Sequence, residues 1–366
     1  MAWKVSCVME ERMRFVMECQ SGDLSMSAAC HRAGISRKTG YKWLQRYSEE
    51  GVEGLKDRSR APVRRPHAID TETEQYILAF KRQHMLFGPA KVRVRLLELH
   101  PDRSWPAVSS IGDLLKRHGL VQPRKRRRHA TPASEPLSHC KQANDVWCAD
   151  FKGWFRTGNG ARCEPLTISD ANSRFLLCCQ TMFNGTTFEQ VKPHFELAFR
   201  RFGLPRAIRT DNGAPFASTG LGGLSRLSVW WLRLGVYPER IRPGKPQENG
   251  RHERMHRTLK QATARPPASS LEAQQERFRR FLNEYNYERP HEALGQQTPA
   301  THYTASSRPF PERLPQAPPF PDDWESRSVR GAGQFKWNNR DVRISIALKG
   351  ERIGLAPSDD GKWEIY

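Results

Sequence analysis

No apolar run in this chain approaches the roughly 18–20 residues a helix needs to cross a bilayer, and the N-terminus lacks the continuous apolar region of a secretory leader. Cysteine is present but unpaired in pattern. Cys7, Cys19, Cys30, Cys140, Cys148, Cys163, Cys178 and Cys179 form no C-x-x-C pair and no zinc-finger spacing. Dispersed thiols in 366 residues point to a reducing compartment, so a soluble, cytoplasmic protein without membrane partners is expected. Negative charge is the third shortage. Asp+Glu number 39 against 60 Lys+Arg, a net charge of +21. An excess of that size implies a polyanionic partner, most often nucleic acid. Residues 1–143 hold 27 Lys+Arg and 15 Asp+Glu, so more than half the excess sits where a DNA-reading arm belongs.

The N-terminal part has helical texture. Met13, Val16 and Met17 recur at helical spacing over 10–21. A short helix, a turn at Gly34 and a helix capped by Ser36 then predict a helix-turn-helix. Arg37, Lys38, Tyr41 and Lys42 fall on its exposed side, with Trp43 and Leu44 inward, as a recognition helix in the major groove requires. After a basic linker at 56–68, helices over 71–85 and 90–100 and a third from Ser104 to Gly119 predict a second such unit. Arg124, Lys125, Arg126, Arg127 and Arg128 form a cationic run suited to phosphate or to solvent.

From Asn144 the pattern becomes α/β. Strands are expected over 146–151, 165–169, 174–182, 207–211 and 236–241. Helices are expected over 186–201, 225–234 and 271–285, with Pro193 distorting the first or delaying its start. Six prolines in 306–321 mark a linker, and 334–366 alternates like short strands that stop mid-pattern, as a truncated domain would.

The stretch Arg242-Pro243-Gly244-Lys245-Pro246-Gln247-Glu248-Asn249-Gly250-Arg251-His252-Glu253 ends in a helix that starts near Gln247 or Asn249. Glu253, Arg257 and Lys260 then share one face at i, i+4 and i+7. A carboxylate between cations suits a site for metal and a phosphate chain together. The same residues fit H-E-x-x-H, with His252 and His256 as zinc ligands, Glu253 as base and Glu276 as a third ligand. Elsewhere, Asp150 sits in an apolar strand, where an unpaired carboxylate is costly, and Asp211 ends another. Three carboxylates from three elements suit hard divalent cations, and a two-metal phosphodiester displacement needs no protein nucleophile. The zinc reading leaves Asp150, Asp211 and the two basic helical units without a role.

Trp147-Cys148-Ala149-Asp150, Arg209-Thr210-Asp211-Asn212-Gly213-Ala214-Pro215-Phe216 and the stretch from Arg242 to Lys260 resemble, in order and context, the DDE transposases of bacterial insertion sequences, whose core retroviral integrases share. Tyr285-Asn286-Tyr287-Glu288-Arg289-Pro290-His291 resembles the tail that follows this core. The resemblance implies a multidomain chain: an N-terminal all-α region of helix-turn-helix units, a central ribonuclease-H-like α/β core with a mixed sheet, and a small C-terminal β segment. The expected boundaries are 1–60 and 66–122 for the helical units, 123–143 for a basic linker, 144–305 for the core, 306–325 for the Pro-rich linker and 326–366 for the β domain. It also implies Mg²⁺, with Mn²⁺ as substitute, held by Asp150, Asp211 and Glu253 as catalytic and metal residues. No zinc is expected, and no His-His-Cys-Cys module is visible, so retroviral integrase itself is a poor match. Arg257 and Lys260 fall where the family contacts DNA, and Glu248 is not a ligand. The implied activity is cleavage and strand transfer at insertion-sequence ends, on transposon and target DNA, by a homo-oligomer in a bacterial cytoplasm, nucleoid-associated when bound. The segment from Asp211 to Glu253 is longer than is common in that family, and Gly220-Leu221-Gly222-Gly223 is the expected place of the extra residues. Two rival readings are kept: a repressor with an inactive core, which the presence of all three acids disfavours, and a nuclease that cuts without joining, the closest enzymatic rival.

Overall fold

The computed structural model describes residues 7–59, 68–121, 137, 139–182, 185–218, 220–242, 246–316, 319–358 and 362–366. Arg124–Arg128 lie outside the described residues. The chain divides into a unit over Met1–Ala68 and a unit over Ile69–Tyr366.

In the first unit α1 (Val8–Gln20), α2 (Met26–Arg32) and α3 (Arg37–Glu50) pack around Phe15, Val16, Ala29, Cys30, Trp43 and Leu55. Ser25 and Ser36 set the starts of α2 and α3: Ala28 N donates to Ser25 Oγ at 3.3 Å and Thr39 N to Ser36 Oγ at 3.2 Å. Gly40 lets α3 approach its neighbours, since a Cβ there would stand 2.5 Å from Cys30 Sγ and 2.9 Å from the end of the Phe15 ring.

The second unit begins with α4 (Thr71–Gln83), α5 (Pro89–Leu99) and α6 (Val108–Arg117). They enclose Ile77, Phe87, Val92, Leu96, Trp105, Ile111, Leu114 and Leu115. Asp70 caps α4, with Thr73 N donating to Oδ1 at 2.8 Å. The third of these helices starts four residues later than Ser104, because Trp105 and Pro106 remain in the preceding loop.

A mixed sheet follows, made of β1 (Val146–Phe151), β2 (Phe155–Arg156), β3 (Arg162–Asp170), β4 (Leu176–Met182), β5 (Ala207–Thr210) and β6 (Tyr237–Arg240). The long order is β4–β3–β1–β5–β6, with β2 a short addition on β3. β1, β3 and β4 pair antiparallel, while β1–β5 and β5–β6 are parallel. This is the ribonuclease-H-like mixed sheet. Strand alternation sends alternate residues to two faces. Trp147, Ala149, Leu166 and Ile168 meet α7 (Phe188–Phe202) and α8 (Arg226–Arg233) through Phe195, Phe199 and Trp231. On the other face Cys163, Leu176 and Cys179 meet α9 (Gly250–Thr263) and α10 (Leu271–Asn283) through Met255, Leu259, Phe278 and Phe281.

Two side-chain amides close the free edge of β4. Thr181 N donates to Gln275 Oε1 at 2.8 Å and Gln275 Nε2 to Cys179 O at 3.1 Å. Buried Asn286, in the π-helical turn Glu284–Glu288 that continues α10, accepts from Leu176 N at 2.8 Å and donates to Leu176 O at 2.9 Å. α7 begins at Phe188 and runs through Pro193, so the later start is not seen; a Thr187–Gln190 capping box holds its first turn. At the C-terminal end β7 (Glu325–Ser328), β8 (Gln334–Trp337), β9 (Arg340–Arg343), β10 (Arg352–Pro357) and β11 (Trp363–Ile365) surround Val329, Phe335, Ile353 and Leu355. No described helix is long and apolar enough to cross a membrane.

Candidate active site

The parallel pairing of β1 with β5 sets Val146 against Ala207 and Cys148 against Arg209. Carried forward, that register puts Asp150 level with Asp211 at the carboxyl ends of neighbouring strands, where α/β sheets bind their ligands. Asp211 is half-buried just past β5, and Gly213 N donates to its Oδ1 at 3.1 Å. Glu253 stands exposed in the first turn of α9. The charges of Asp211 and Glu253 both act on Asp150. Asp150 has its carboxyl pushed up to about 7, first by burial, then by Asp211 and in smaller part by Glu253, with Lys152 acting against them. Among the described residues no three His, Cys, Asp or Glu side chains are gathered in a shell that could hold a metal ion.

Unlike exposed Glu253, His252 and His256 are buried in the body of the protein. They are 1% and 3% exposed. The Thr167 hydroxyl donates to Asp150 O at 3.1 Å and lies 2.8 Å from His252 Nε2 and 2.6 Å from His256 Nε2. A hydroxyl has one proton. With that proton on the Asp150 carbonyl, both imidazoles donate through Nε2, and His252 Nδ1 accepts from Ser169 Oγ at 2.8 Å. His256 Nδ1 is then a bare acceptor, 3.8 Å from Asp150 Oδ2. Two acceptors face each other there, an arrangement that a proton or a cation between them relieves. Both rings are neutral: burial drives His252 down to about 3 and His256 further, helped by Lys152 and, for His256, by His252.

This geometry removes the zinc reading. Both histidines spend their Nε2 atoms on Thr167, and the expected third ligand, Glu276, pairs with Arg279 at 3.1 Å and Arg280 at 3.2 Å on α10. Glu248 has a different task. It lies in the 3₁₀ turn Pro246–Asn249 before α9, accepting from Arg242 N at 2.9 Å and Arg242 Nε at 2.6 Å, which lowers its pKa. Buried Arg209 donates to Glu248 O at 3.2 Å and pairs with Glu239, tying this turn to β5 and β6.

Arg257 and Lys260 are exposed on the Glu253 side of α9. Arg37, Lys38, Tyr41 and Lys42 are exposed on α3, and Trp43 is buried beneath Arg12 and Lys42, 3.9 and 4.6 Å from its ring. Gly220 to Gly223 lie in the connection between β5 and α8, in a 3₁₀ turn over Leu221–Gly223. Thr167 and Ser169 were missed in the sequence. Their only signal is two hydroxyls at alternate positions of an apolar strand, matched by two histidines one helical turn apart.

Models of an integrase core domain match residues 141–246 and 234–299, a helix-turn-helix domain matches 11–62, and a homeodomain-like domain matches 39–115. A 31.7 kDa protein of insertion element IS407 from Burkholderia multivorans is 27% identical over 189 residues, 51% of this chain and 65% of that protein. A 39.2 kDa protein of insertion element IS476 from Xanthomonas euvesicatoria is 28% identical over 180 residues, 48% of this chain and 50% of the relative. The chain therefore spans about half to two-thirds of these relatives. A chain of the simian T-cell lymphotropic virus intasome superposes with a TM-score of 0.38 at 17% identity, covering 79% of this chain and 95% of that one. The HTLV-2 integrase catalytic core in complex with magnesium gives 0.35 at 17%, covering 44% and 99%. At these scores the fold assignment rests on the strand order and register above. With helix-turn-helix models over its first third and integrase core models over 141–299, the chain is similar to proteins of bacterial insertion elements.

Proposed function

We propose that this protein is a transposase, a DDE polynucleotidyl transferase that cleaves the ends of an insertion sequence and joins them to target DNA. The observation that carries the reading is the β1–β5 register, which puts Asp150 level with Asp211, together with the charge of Glu253 acting on Asp150. The Asp150 carboxyl is mostly buried, repelled by Asp211 and Glu253, and lies 3.8 Å from His256 Nδ1. The all-carboxylate donor set fits a hard divalent cation such as Mg²⁺ or Mn²⁺, and the histidines, engaged elsewhere, do not recruit zinc. Asp150, Asp211 and Glu253 would hold the metal, which when bound activates the attacking oxygen and offsets charge on the phosphate. Thr167 and His256 fix the Asp150 backbone and face its carboxyl. Arg257 and Lys260 offer cations to the flanking phosphates. The basic α3 face supplies end recognition, the run Arg124–Arg128 adds phosphate affinity, and a homo-oligomer assembles on DNA in the bacterial cytoplasm. The boundaries given above, from 1–60 to 326–366, are part of the same proposal.

The test is incubation with the element's terminal repeats, Mg²⁺ and a plasmid target, scoring cleavage and joining separately. Both products with Mg²⁺ or Mn²⁺ are expected, with binding but no chemistry in Ca²⁺. Binding with no cleavage in any metal would replace this reading with a repressor, and cleavage without joining with a nuclease.

A further inference from the structure

Trp154 is 55% exposed, which burial does not explain. It lies in the connection from β1 to β2, where Gly153 adopts φ +76, a conformation that favours glycine and carries the chain out of the strand. The next residue, Phe155, packs inward against the Met255 and Leu259 cluster, and the indole is left outside. Two guanidiniums attend it: Arg162 at 5.0 Å and Arg156 at 5.8 Å from the ring centroid. A groove between this connection and α9 is lined by Lys152, Trp154, Pro165, Lys260 and Thr263. At the inner end of that strip, the charge of Lys152 acts on Asp150. An exposed indole, four cations (Arg162 among them also paired with Glu164 at 3.1 Å) and the carboxylate site are thus contiguous.

Cations that track a backbone beside an aromatic platform are the chemistry of single-strand binding, because every base offers a π-face and stacking is sequence-tolerant. A paired duplex hides those faces inside its own stack. We propose that Trp154 stacks on an unpaired base of the DNA strand whose phosphate lies at Asp150, with Lys152 and Lys260 on the adjoining phosphates. This rests on the transposase reading and adds the form of the substrate: a strand end opened from its complement.

The experiment uses the full chain, its W154A and W154F variants, and duplexes of arbitrary sequence in Ca²⁺. One duplex is blunt and fully paired. The other ends in a short single strand carrying 2-aminopurine at one position at a time. Wild type and W154F should quench 2-aminopurine at one position near the junction, and W154A should not. Affinity for the open-ended duplex should fall on the order of tenfold in W154A, with the blunt duplex unchanged. The proposal is overturned if W154A quenches and binds as wild type does, if W154F does no better than W154A, or if W154A weakens both duplexes equally. D150N separates the two readings. Loss of joining in D150N with normal W154A behaviour leaves the transposase standing and removes the stacking role. Full joining in D150N removes the transposase reading, whatever Trp154 does.

Discussion

Asp150 and its two histidines pull stability in opposite directions with pH. The Asp150 carboxyl holds its proton in the folded state up to about 7. Its folded pKa lies above the unfolded one, so it favours folding at low pH and loses that contribution as pH rises from about 4 to 7. Asp150→Asn should therefore raise the urea midpoint of metal-free protein at pH 8 while abolishing joining. A lower midpoint would mean that the carboxylate is better solvated than its surroundings indicate. His252 and His291 behave the other way, both depressed to about 3 chiefly by burial. The unfolded chain takes up protons below about 6.5 and the folded one does not, so each ring removes about 1.4 kcal/mol per pH unit as pH falls from there toward 3. His252→Gln should flatten that acid slope by one proton's worth in urea titrations at several pH values. Asp211→Asn and Glu253→Gln should match Asp150→Asn in a joining assay at equal DNA occupancy, without adding to it. Glu248→Gln should keep joining, because Glu248 is not a ligand in this reading and the Gln oxygen still accepts one of the two Arg242 bonds, the other being lost. At this scale Asp150, Asp211 and Glu253 could be singled out from motif context, whereas Thr167 could not. A threonine in a strand looks like surface until the helix opposite is known to carry two histidines.

Helix α9 and strand β3 are joined by that hydroxyl. Thr167→Val keeps the shape but strands three buried polar partners, Asp150 O and two Nε2 atoms. A loss of about 2–4 kcal/mol in urea unfolding is expected, with Thr167→Ser restoring most of it. A loss below about 1 kcal/mol would show that water replaces the hydroxyl. Asn286 invites a similar test at the edge of β4, where Asn286→Ala frees both Leu176 groups and should cost about 1–3 kcal/mol. Strands β1, β5 and β6 were read to within about a residue, since their apolar runs end in turn residues. The two-residue β2 was not, because a pairing that short has no pattern to detect. Pro193 does not delay the start of α7, for a physical reason. It falls early in α7, where the capping box and the burial of Phe195 and Phe199 outweigh one missing N–H.

Across the whole molecule the charge asymmetry makes a measurable claim. Arg37→Ala and Lys42→Ala in the full chain should weaken end binding and reduce the slope of log affinity against log salt by about 0.9 for each phosphate left without its cation. An unchanged slope would place these two side chains on bases or off the DNA. Composition announced a polyanionic partner and the split into helical and α/β parts. It was silent on how the sheet brings Asp150 level with Asp211, because register is a property of paired strands rather than of either one. That strand order also has a consequence in time. The pairing of β1 with β3 is local and can form early, but Glu253 is synthesised about 100 residues after Asp150, which at roughly 5–20 residues per second is on the order of 5–20 seconds later. During that interval the nascent core holds two of its three carboxylates and no α9. On the proposed reading a chain still on the ribosome cannot yet attack nearby DNA, and a product cut short before residue 253 never could.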